Sequence, residues 1–295
     1  MIVLNYFPVY NTNSFQVEQS GMTINHFINT ISKIEDTFNL SHYALIRISG
    51  ADATTFLQGQ MSCDINQLNE TLSLPGAYCD PKGRMIATFW IWREDDTFCL
   101  ILPKNNRQNF LEKIAKFAAF SKVHLEPIEN QYITGIIGPC DNYTMKLPGK
   151  IERYIKINNQ STAKESALWQ ACNIATGLCD IDINTSGLFT PQMINLEKFD
   201  GVSFTKGCFV GQEIIARTQH LGKLKRHLQT LTSDNALTVQ SGDMITNDNH
   251  ETVGTVTEYY VSDKSYLLAV IEDRALTNSL FVNNNQRLEL EARTV

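Results

Sequence analysis

The character of the chain changes after about Leu224, and this change restricts the possible folds more than any other feature of the sequence. From there to Val295, turn signals such as 241–243 separate short runs that are rich in β-branched and aromatic residues, as in 252–260 and 266–271. Such a succession is typical of small barrels and sandwiches. We therefore predict that residues 223–295 form a small all-β unit, either a barrel or a sandwich.

Residues before this point mix both kinds of secondary structure. Amphipathic patterns predict helices over 104–120 and 163–175, and a shorter helix near 140–146. Alternating or β-branched runs predict strands at 71–78, 85–92, 97–102, 123–128, 132–138 and 151–157. Small helices and strands in alternation indicate an α+β body over 1–222, of one or two subdomains, with a ferredoxin-like part near 97–157.

Composition and charge argue against several functional classes. The net charge of −6 over 295 residues argues against broad electrostatic binding of nucleic acid. No run approaches the roughly 20 apolar residues of a membrane span, and the start of the chain lacks the pattern of a secretory signal. Seven cysteines, without C-x-x-C or zinc-binding spacing, favour a reducing compartment. We predict a cytoplasmic protein with no metal site, no membrane contact and no direct nucleic-acid partner.

Residues 206–213, which read KGCFVGQE, carry the strongest functional signal. Glycines on either side of a cysteine permit positive φ angles and a close approach of other groups. A nearby lysine and the start of a helix, here predicted from Gln212, both favour a thiolate. We interpret Cys208 as an activated thiol, and Lys206 as the residue that lowers its pKa or binds an anionic group. The plainer alternatives are a buried small side chain and a solvated surface charge.

Further polar side chains could bind a ligand. Gln212 can donate to and accept from the edge of a planar heterocycle, or it can cap its own helix. Arg217, on the same predicted helix, offers a cation to an anionic ligand or to a helical ion pair. Asp80, Lys82 and Arg84 form a charged turn. Most charged turns are simply exposed to solvent.

Residues 206–213, with the alanine and arginine at 216 and 217, resemble the signature of the YgfZ family of folate-binding proteins. That family is related to the aminomethyltransferase (T protein) of the glycine cleavage system. Three more segments are similar to the family in the same order, namely FLQGQ with CD at 56–64, DPKGR at 80–84 and PQMINL at 191–196. The turn at 254–256 is similar to the family's C-terminal barrel. The resemblance covers about residues 40–275 and is specific.

The resemblance implies a ring-like arrangement of a folate-binding α+β body and a C-terminal β-barrel around a central cavity. It further implies binding of tetrahydrofolate or a one-carbon derivative, and support for iron–sulfur enzymes such as one that methylthiolates tRNA. On this basis Asp80, Lys82 and Arg84 become ligand-facing candidates. Trp169, otherwise a core residue on its helix, becomes a candidate to stack on the pteridine. The anionic tail of the folate would lie near Lys82, Arg84 or Arg217.

The chain departs from the family pattern at two points. The aromatic residue after the cysteine is Phe209 rather than the usual tyrosine, so a phenolic hydroxyl is either dispensable or supplied elsewhere. Relatives often carry an acidic, pterin-binding residue where this chain has Ala175. A carboxylate for the pterin must then come from another residue, for which Asp180 and Asp182 are candidates.

These observations together predict a tetrahydrofolate-binding accessory protein that supports iron–sulfur enzyme assembly or repair and thereby tRNA methylthiolation. Cys208 would lie at the mouth or wall of the cavity and carry any chemistry. One alternative is a folate-dependent one-carbon transferase or demethylase, which needs a carboxylate able to move a proton and is disfavoured by Ala175. The other is a protein-interaction module without chemistry that docks through the basic stretch 223–227.

Overall fold

The computed structural model describes residues 24–69, 71–161, 164–165, 167–283 and 286–291. The start of the chain, where no secretory signal is expected, lies outside these residues. The helices are α1 Ile24–Ile31, α2 Ala53–Gln60, α3 Arg107–Ala118, α4 Leu168–Thr176 and α5 Gln212–Leu221. The strands of the body are β1 Asp36–Asn39, β2 Tyr43–Ser49, β3 Ser73–Cys79, β4 Met85–Glu94, β5 Thr97–Pro103, β6 His124–Ile128, β7 Tyr132–Ile137, β8 Met145–Leu147 and β9 Arg153–Asn158.

The first sheet has five antiparallel strands in the order β3-β4-β5-β2-β6. Helices α2 and α3 bury Phe56, Leu57, Phe110 and Ile114 in the core that this sheet shares with them. The chain order β2-α2-β4-β5-α3-β6 is that of a ferredoxin-like unit, to which β3 is added at the edge. These elements span 43–128. The prediction of a ferredoxin-like part near 97–157 was therefore wrong, because β7 to β9 leave for another sheet.

The second sheet has four strands in the order β1-β7-β9-β8. The predicted helix near 140–146 was wrong, because β8 is a strand that pairs with β9. In β8 Met145 and Leu147 are buried while Lys146 is exposed, which is the period of two that a half-buried strand requires. Helix α4 packs on this sheet, where a Cβ added to Gly135 would come within 2.6 Å of the Trp169 ring.

The C-terminal unit is a closed barrel, as the resemblance implied. Its strands are β10 Arg226–Ser233, β11 Met244–Asn247, β12 Thr252–Val261, β13 Ser265–Glu272, β14 Leu280–Val282 and β15 Gln286–Leu290. They close in the order β10-β13-β12-β11-β14-β15. Closure leaves no unpaired strand edge, which would otherwise invite association. Together with the two sheets, the barrel confirms the predicted α+β fold class.

The three units share one core rather than standing apart. Trp90 of the first sheet, Ile155 of the second and Leu228 and Leu268 of the barrel belong to the same buried cluster. Polar groups at this junction are therefore enclosed by three units at once. No helix within the described ranges is long and apolar enough to cross a bilayer.

Candidate functional site

The loop that carries Cys208 is fixed to the end of α2 and to the residues after it. The backbone N–H of Val210 donates to the carbonyl of Gly59 at 3.3 Å, and that of Ser203 donates to Ser62 at 2.9 Å. Cys208 itself is exposed, whereas five of the other six cysteines are buried. The loop thus presents its thiol to solvent, as the pair of glycines predicted.

Lys206 holds this loop through its ammonium group. Its ammonium group donates to the carbonyl oxygens of Met61 at 2.7 Å and Cys63 at 2.8 Å, and it lies 5.1 Å from the centre of the Phe209 ring. Partial burial lowers the pKa of Lys206 to about 8. These contacts show that Lys206 holds the loop, while its predicted action on Cys208 stays a prediction. Since the ring face of Phe209 makes this contact, no phenolic hydroxyl is needed there.

The turn at 80–84 packs against the start of α5. Gly211 has a φ of +82°, and a Cβ there would come within 2.6 Å of the carbonyl oxygen of Asp80 and 3.0 Å of the Cα of Gly83. The Asp80 carboxylate accepts the backbone N–H groups of Lys82 at 2.8 Å and Arg84 at 2.9 Å. Asp80 therefore shapes its own turn, which accounts for an aspartate at this position without a ligand.

The remaining candidates lie around the first turns of α5. Gly83 contacts the side chain of Ile214, and Arg217 is one turn further along the same face. Lys82 and Arg217 are exposed and Gln212 is half-buried. The guanidinium group of Arg84 donates to a backbone carbonyl of the loop at 188. The structure thus brings the cations at 82 and 217 to one side of the molecule.

The segment at 191–196 supports α5 from behind. The buried side chain of Gln192 donates to the carbonyl of Ile215 at 2.7 Å. All four segments that carry the family resemblance therefore meet at α5 and the loop before it. We call this assembly, made of residues 56–64, 80–84, 191–196 and 206–213, the motif cluster.

A cavity that shares the segment 191–196 with the motif cluster lies between the two sheets and the end of α4. It is lined by side chains that include Tyr43, Trp90, Ile155, Asn173, Asp180 and Phe199. Its volume is about 30 Å³, which is close to the space that one water molecule occupies in the liquid. Asp180, a candidate from the sequence for the missing carboxylate, lines it, whereas the eight residues predicted to be catalytic or cofactor-binding do not. Cys208 is therefore not among the residues that line this cavity.

Trp169 also differs from its predicted role. Its side chain is 0% exposed, and Arg153, itself fully buried, has its guanidinium carbon 5.1 Å from the centre of the ring. The six-membered part of the ring lies close to Gly135, where an added Cβ would come within 2.6 Å of it. No face of Trp169 is free for a pteridine, because the apolar face of α4 directs it into the core.

Asp180 is the ionisable group at the centre of the cavity wall. Its carboxylate accepts a hydrogen bond from the hydroxyl of Tyr43, and its backbone N–H donates to the carboxylate of Glu258 at 3.0 Å. Burial, more than any neighbouring charge, raises the pKa of Asp180 to about 6. Burial, and secondly the charge of Asp180, raise the pKa of Glu258 well above its usual range. Two partly buried acidic residues thus meet where the barrel contacts the body.

Arg153 is a fully buried cation whose charge acts on Asp180. Its guanidinium group donates to the side chains of Asn173 at 2.8 Å and Thr176 at 3.0 Å, both on α4. Its charge opposes the effect of burial on the pKa of Asp180. The hydrogen-bond partners of Arg153 on α4 are thus uncharged, and α4 also carries Ala175, the position without the expected acidic residue.

Three residues at or beside this wall were not found from the sequence: Tyr43, which lines the cavity, and Arg153 and Glu258, which interact with Asp180. Glu258 did leave a signal, since it is the one charged residue within strand β12. A register shift in β12 between Val256 and Glu258 accompanies the turn of that carboxylate toward the body. Asp180 was a candidate from the sequence, and the structure places it at the cavity.

Comparison with known proteins identifies the family of this chain. No family model matches the chain. A tRNA-modifying protein YgfZ from Colwellia psychrerythraea is 30% identical over 273 aligned residues, covering 79% of this chain and 84% of the relative. A protein of the same name from Escherichia coli (strain SMS-3-5) is 31% identical over 256 residues, covering 74% and 78% respectively.

A solved structure, that of glycine cleavage system aminomethyltransferase T from Bartonella henselae, is similar in fold with a TM-score of 0.62 at 14% identity. The match covers 92% of this chain and 88% of that one. The identity and coverage of the two relatives, together with the motif cluster that both the sequence and the structure reveal, show that the chain belongs to the YgfZ family.

Proposed function

We propose that this protein binds tetrahydrofolate or a one-carbon derivative and acts in tRNA modification by supporting iron–sulfur enzymes. The observation that carries the proposal is the partly buried carboxylate of Asp180 at the cavity wall. The edge of a pterin presents adjacent N–H donors, which a carboxylate accepts in pairs. Tyr43 and Asn173 add a hydroxyl and an amide at the same wall. The chemistry of these groups fits a pterin without an acidic residue at Ala175.

Binding requires the cavity to open. Ligand pockets of drug size measure about 300–1,000 Å³, whereas this cavity measures about 30 Å³. One wall is supplied by the short helical turns Pro191–Ile194 and Leu196–Phe199. Irregular segments of this kind move at a lower cost than strands inside a sheet. We propose that this wall moves, and that Lys82 or Arg217 attracts the anionic tail.

Cys208 belongs to a second part of the proposal. Because the thiol is exposed on the motif cluster and apart from the cavity, it would act on a partner, such as an iron–sulfur enzyme that methylthiolates tRNA. Lys206 would act there by holding the loop. The names of the two relatives support the tRNA-modifying role, and the aminomethyltransferase-like fold supports folate.

Isothermal titration calorimetry with tetrahydrofolate and 5-formyl-tetrahydrofolate tests the folate proposal. Asp180→Asn keeps the size of the side chain but removes its charge, so we expect affinity to fall about 10-fold to 100-fold. Asp96→Asn, on an exposed turn, and Cys208→Ala should leave affinity unchanged. If the wild type binds neither ligand, the folate proposal fails.

The role of the thiol is tested in a bacterial strain that lacks its own YgfZ. We expect the wild-type chain to restore methylthiolation of tRNA, and Cys208→Ala to lose this activity while it still binds folate. Full activity of Cys208→Ala would exclude a chemical role for the thiol.

A folate-dependent one-carbon transferase is a second candidate, favoured by one observation. Burial raises the pKa of Asp180 to about 6, close to the pH at which a carboxylate can accept and release a proton efficiently. Hydrolysis of bound 5-formyl-tetrahydrofolate, in which water attacks the formyl carbon to give formate and tetrahydrofolate, would support catalysis if Asp180→Asn abolished it. Recovery of the ligand unchanged would favour the accessory role.

A further inference from the structure

An open groove lies between α2 and the end of α3, on the side of the first sheet that these helices cover. Its volume is about 490 Å³, and its lining includes Phe56, Gly59, Gln60, Phe117 and Phe120. Phe120 is 92% exposed and Phe117 is 43% exposed. Single exposed apolar residues are ordinary, but two aromatic rings beside one groove are typical of interaction sites.

Packing within this chain does not explain the two rings. Helix α3 buries Phe110, Ile114 and Ala118 against the sheet, and these residues follow the helical spacing of a core-facing stripe. Phe117 lies at the edge of that stripe and remains 43% exposed, and Phe120 lies beyond the end of the helix. Their exposure would cost solubility without benefit to the fold, which suggests that another molecule covers them.

Lysines lie beside the α3 side of the groove, although Asp52 lines it and the chain as a whole carries a net charge of −6. On α3, Lys113 lies one turn before Phe117, and Lys116 lies four residues before Phe120, which follows the helix. The backbone N–H of Lys122 donates a hydrogen bond to the carboxylate of Asp52, which lines the groove. None of these three lysines has an ion pair within 4 Å in the parts of the chain that the structure describes.

The groove is continuous with the motif cluster. Gly59 lines the groove and also accepts the hydrogen bond from Val210, which is close in sequence to Cys208. Gln60, next along α2, has a buried side-chain oxygen without a donor among the described residues. A molecule seated in the groove would therefore lie beside the exposed thiol.

We propose that this groove docks an amphipathic helix of a partner protein, with apolar residues against Phe117 and Phe120 and acidic residues against Lys113 and Lys116. An apolar groove between helices is the usual seat for such a helix. The complementary charge of the rim favours an acidic one and speeds its association. The proposal does not depend on folate binding.

Photo-crosslinking of the full chain tests this docking. The photoreactive amino acid p-benzoylphenylalanine replaces Phe120 in a bacterial strain that lacks its own YgfZ, and Tyr132, exposed on β7, is the matched control position. After irradiation, adducts are treated with ribonuclease and their crosslinked peptides are sequenced by mass spectrometry. We expect an adduct at position 120 alone, to a peptide with apolar residues at helical spacing and flanking Asp or Glu.

Charge variants complete the experiment. Lys113→Glu with Lys116→Glu should lower the yield of the adduct at least fivefold, whereas Lys113→Arg with Lys116→Arg should preserve it. Both pairs should keep the thermal midpoint and the folate affinity of the parent, which separates this result from failure of the folate proposal. An adduct to RNA, to a second copy of this chain or to a basic peptide would overturn the proposal. The absence of any adduct would also overturn it, as would an adduct whose yield does not change when the two lysines are replaced by glutamate.

Discussion

Replacement of Gly211 by alanine should destabilise the protein because two segments of the motif cluster touch at this residue. A Cβ at this position would lie 2.6 Å from the carbonyl oxygen of Asp80 and 3.0 Å from the Cα of Gly83. Both neighbours are backbone atoms, so neither can rotate away as a flexible side chain would. The turn at 80–84 and the start of α5 must then separate.

Gly187 provides a matched control for the strain of the backbone. Its φ is +79°, against +82° for Gly211, but a Cβ there would have nothing within 4 Å. Each alanine costs about 1–2 kcal/mol for its left-handed conformation and regains about 0.4–1 kcal/mol from the stiffer unfolded chain. Overpacking adds about 1–3 kcal/mol for Gly211→Ala alone. The difference between the two variants therefore measures the contact itself.

Urea unfolding followed by tryptophan fluorescence is a suitable assay, since Trp90, Trp92 and Trp169 are all buried in the α+β body. We expect Gly211→Ala to lose about 1–3 kcal/mol more unfolding free energy than Gly187→Ala. Equal losses for the two variants, within about 0.5 kcal/mol, would refute the close packing of the turn on the helix.

Two further predictions concern charged groups. Because folded Asp180 keeps its proton to about pH 6 while an unfolded carboxyl loses it near pH 4, the wild type loses stability from this group as pH rises through that window. In urea unfolding, the unfolding free energy of Asp180→Asn minus that of the wild type should therefore increase from about pH 4 to 6 and then level off. A free-energy difference that does not change with pH would contradict the raised pKa of Asp180. Lys206→Met removes a charged donor from the carbonyls of Met61 and Cys63 and should lower the unfolding free energy by about 1–3 kcal/mol, whereas exposed Lys82→Met should change it by less than about 0.5 kcal/mol.

Local patterns were sufficient for much of the fold. The predicted helix at 104–120 appears as α3, Arg107–Ala118, and the C-terminal unit is indeed a barrel. The error at 140–146 arose because a run this short has no measurable period, and β8 becomes a strand only when β9 pairs with it. The ferredoxin-like part was misplaced for a related reason, since strand partners are chosen far along the chain.

The sequence also indicated the presentation of Cys208, because flanking glycines and a helix start act over a few residues. It could not show which groups the ammonium group of Lys206 contacts. A lysine near a cysteine in the chain need not point at it, and here the carbonyls of Met61 and Cys63, 145 and 143 residues away, capture the ammonium group. Trp169 likewise follows the packing of its helix on the sheet rather than the needs of a ligand.

By itself the sequence determined the class of the fold, the family and an exposed thiol on a glycine-flanked loop, since each depends on residues that are close in the chain. Only the tertiary structure decided that the thiol and the cavity are separate places, and that Asp180 meets Glu258 across 78 residues. That meeting requires the barrel to dock on the body with a register shift in β12. Partial burial at this junction raises the pKa values of the two carboxyl groups, and no stretch of sequence carries that information.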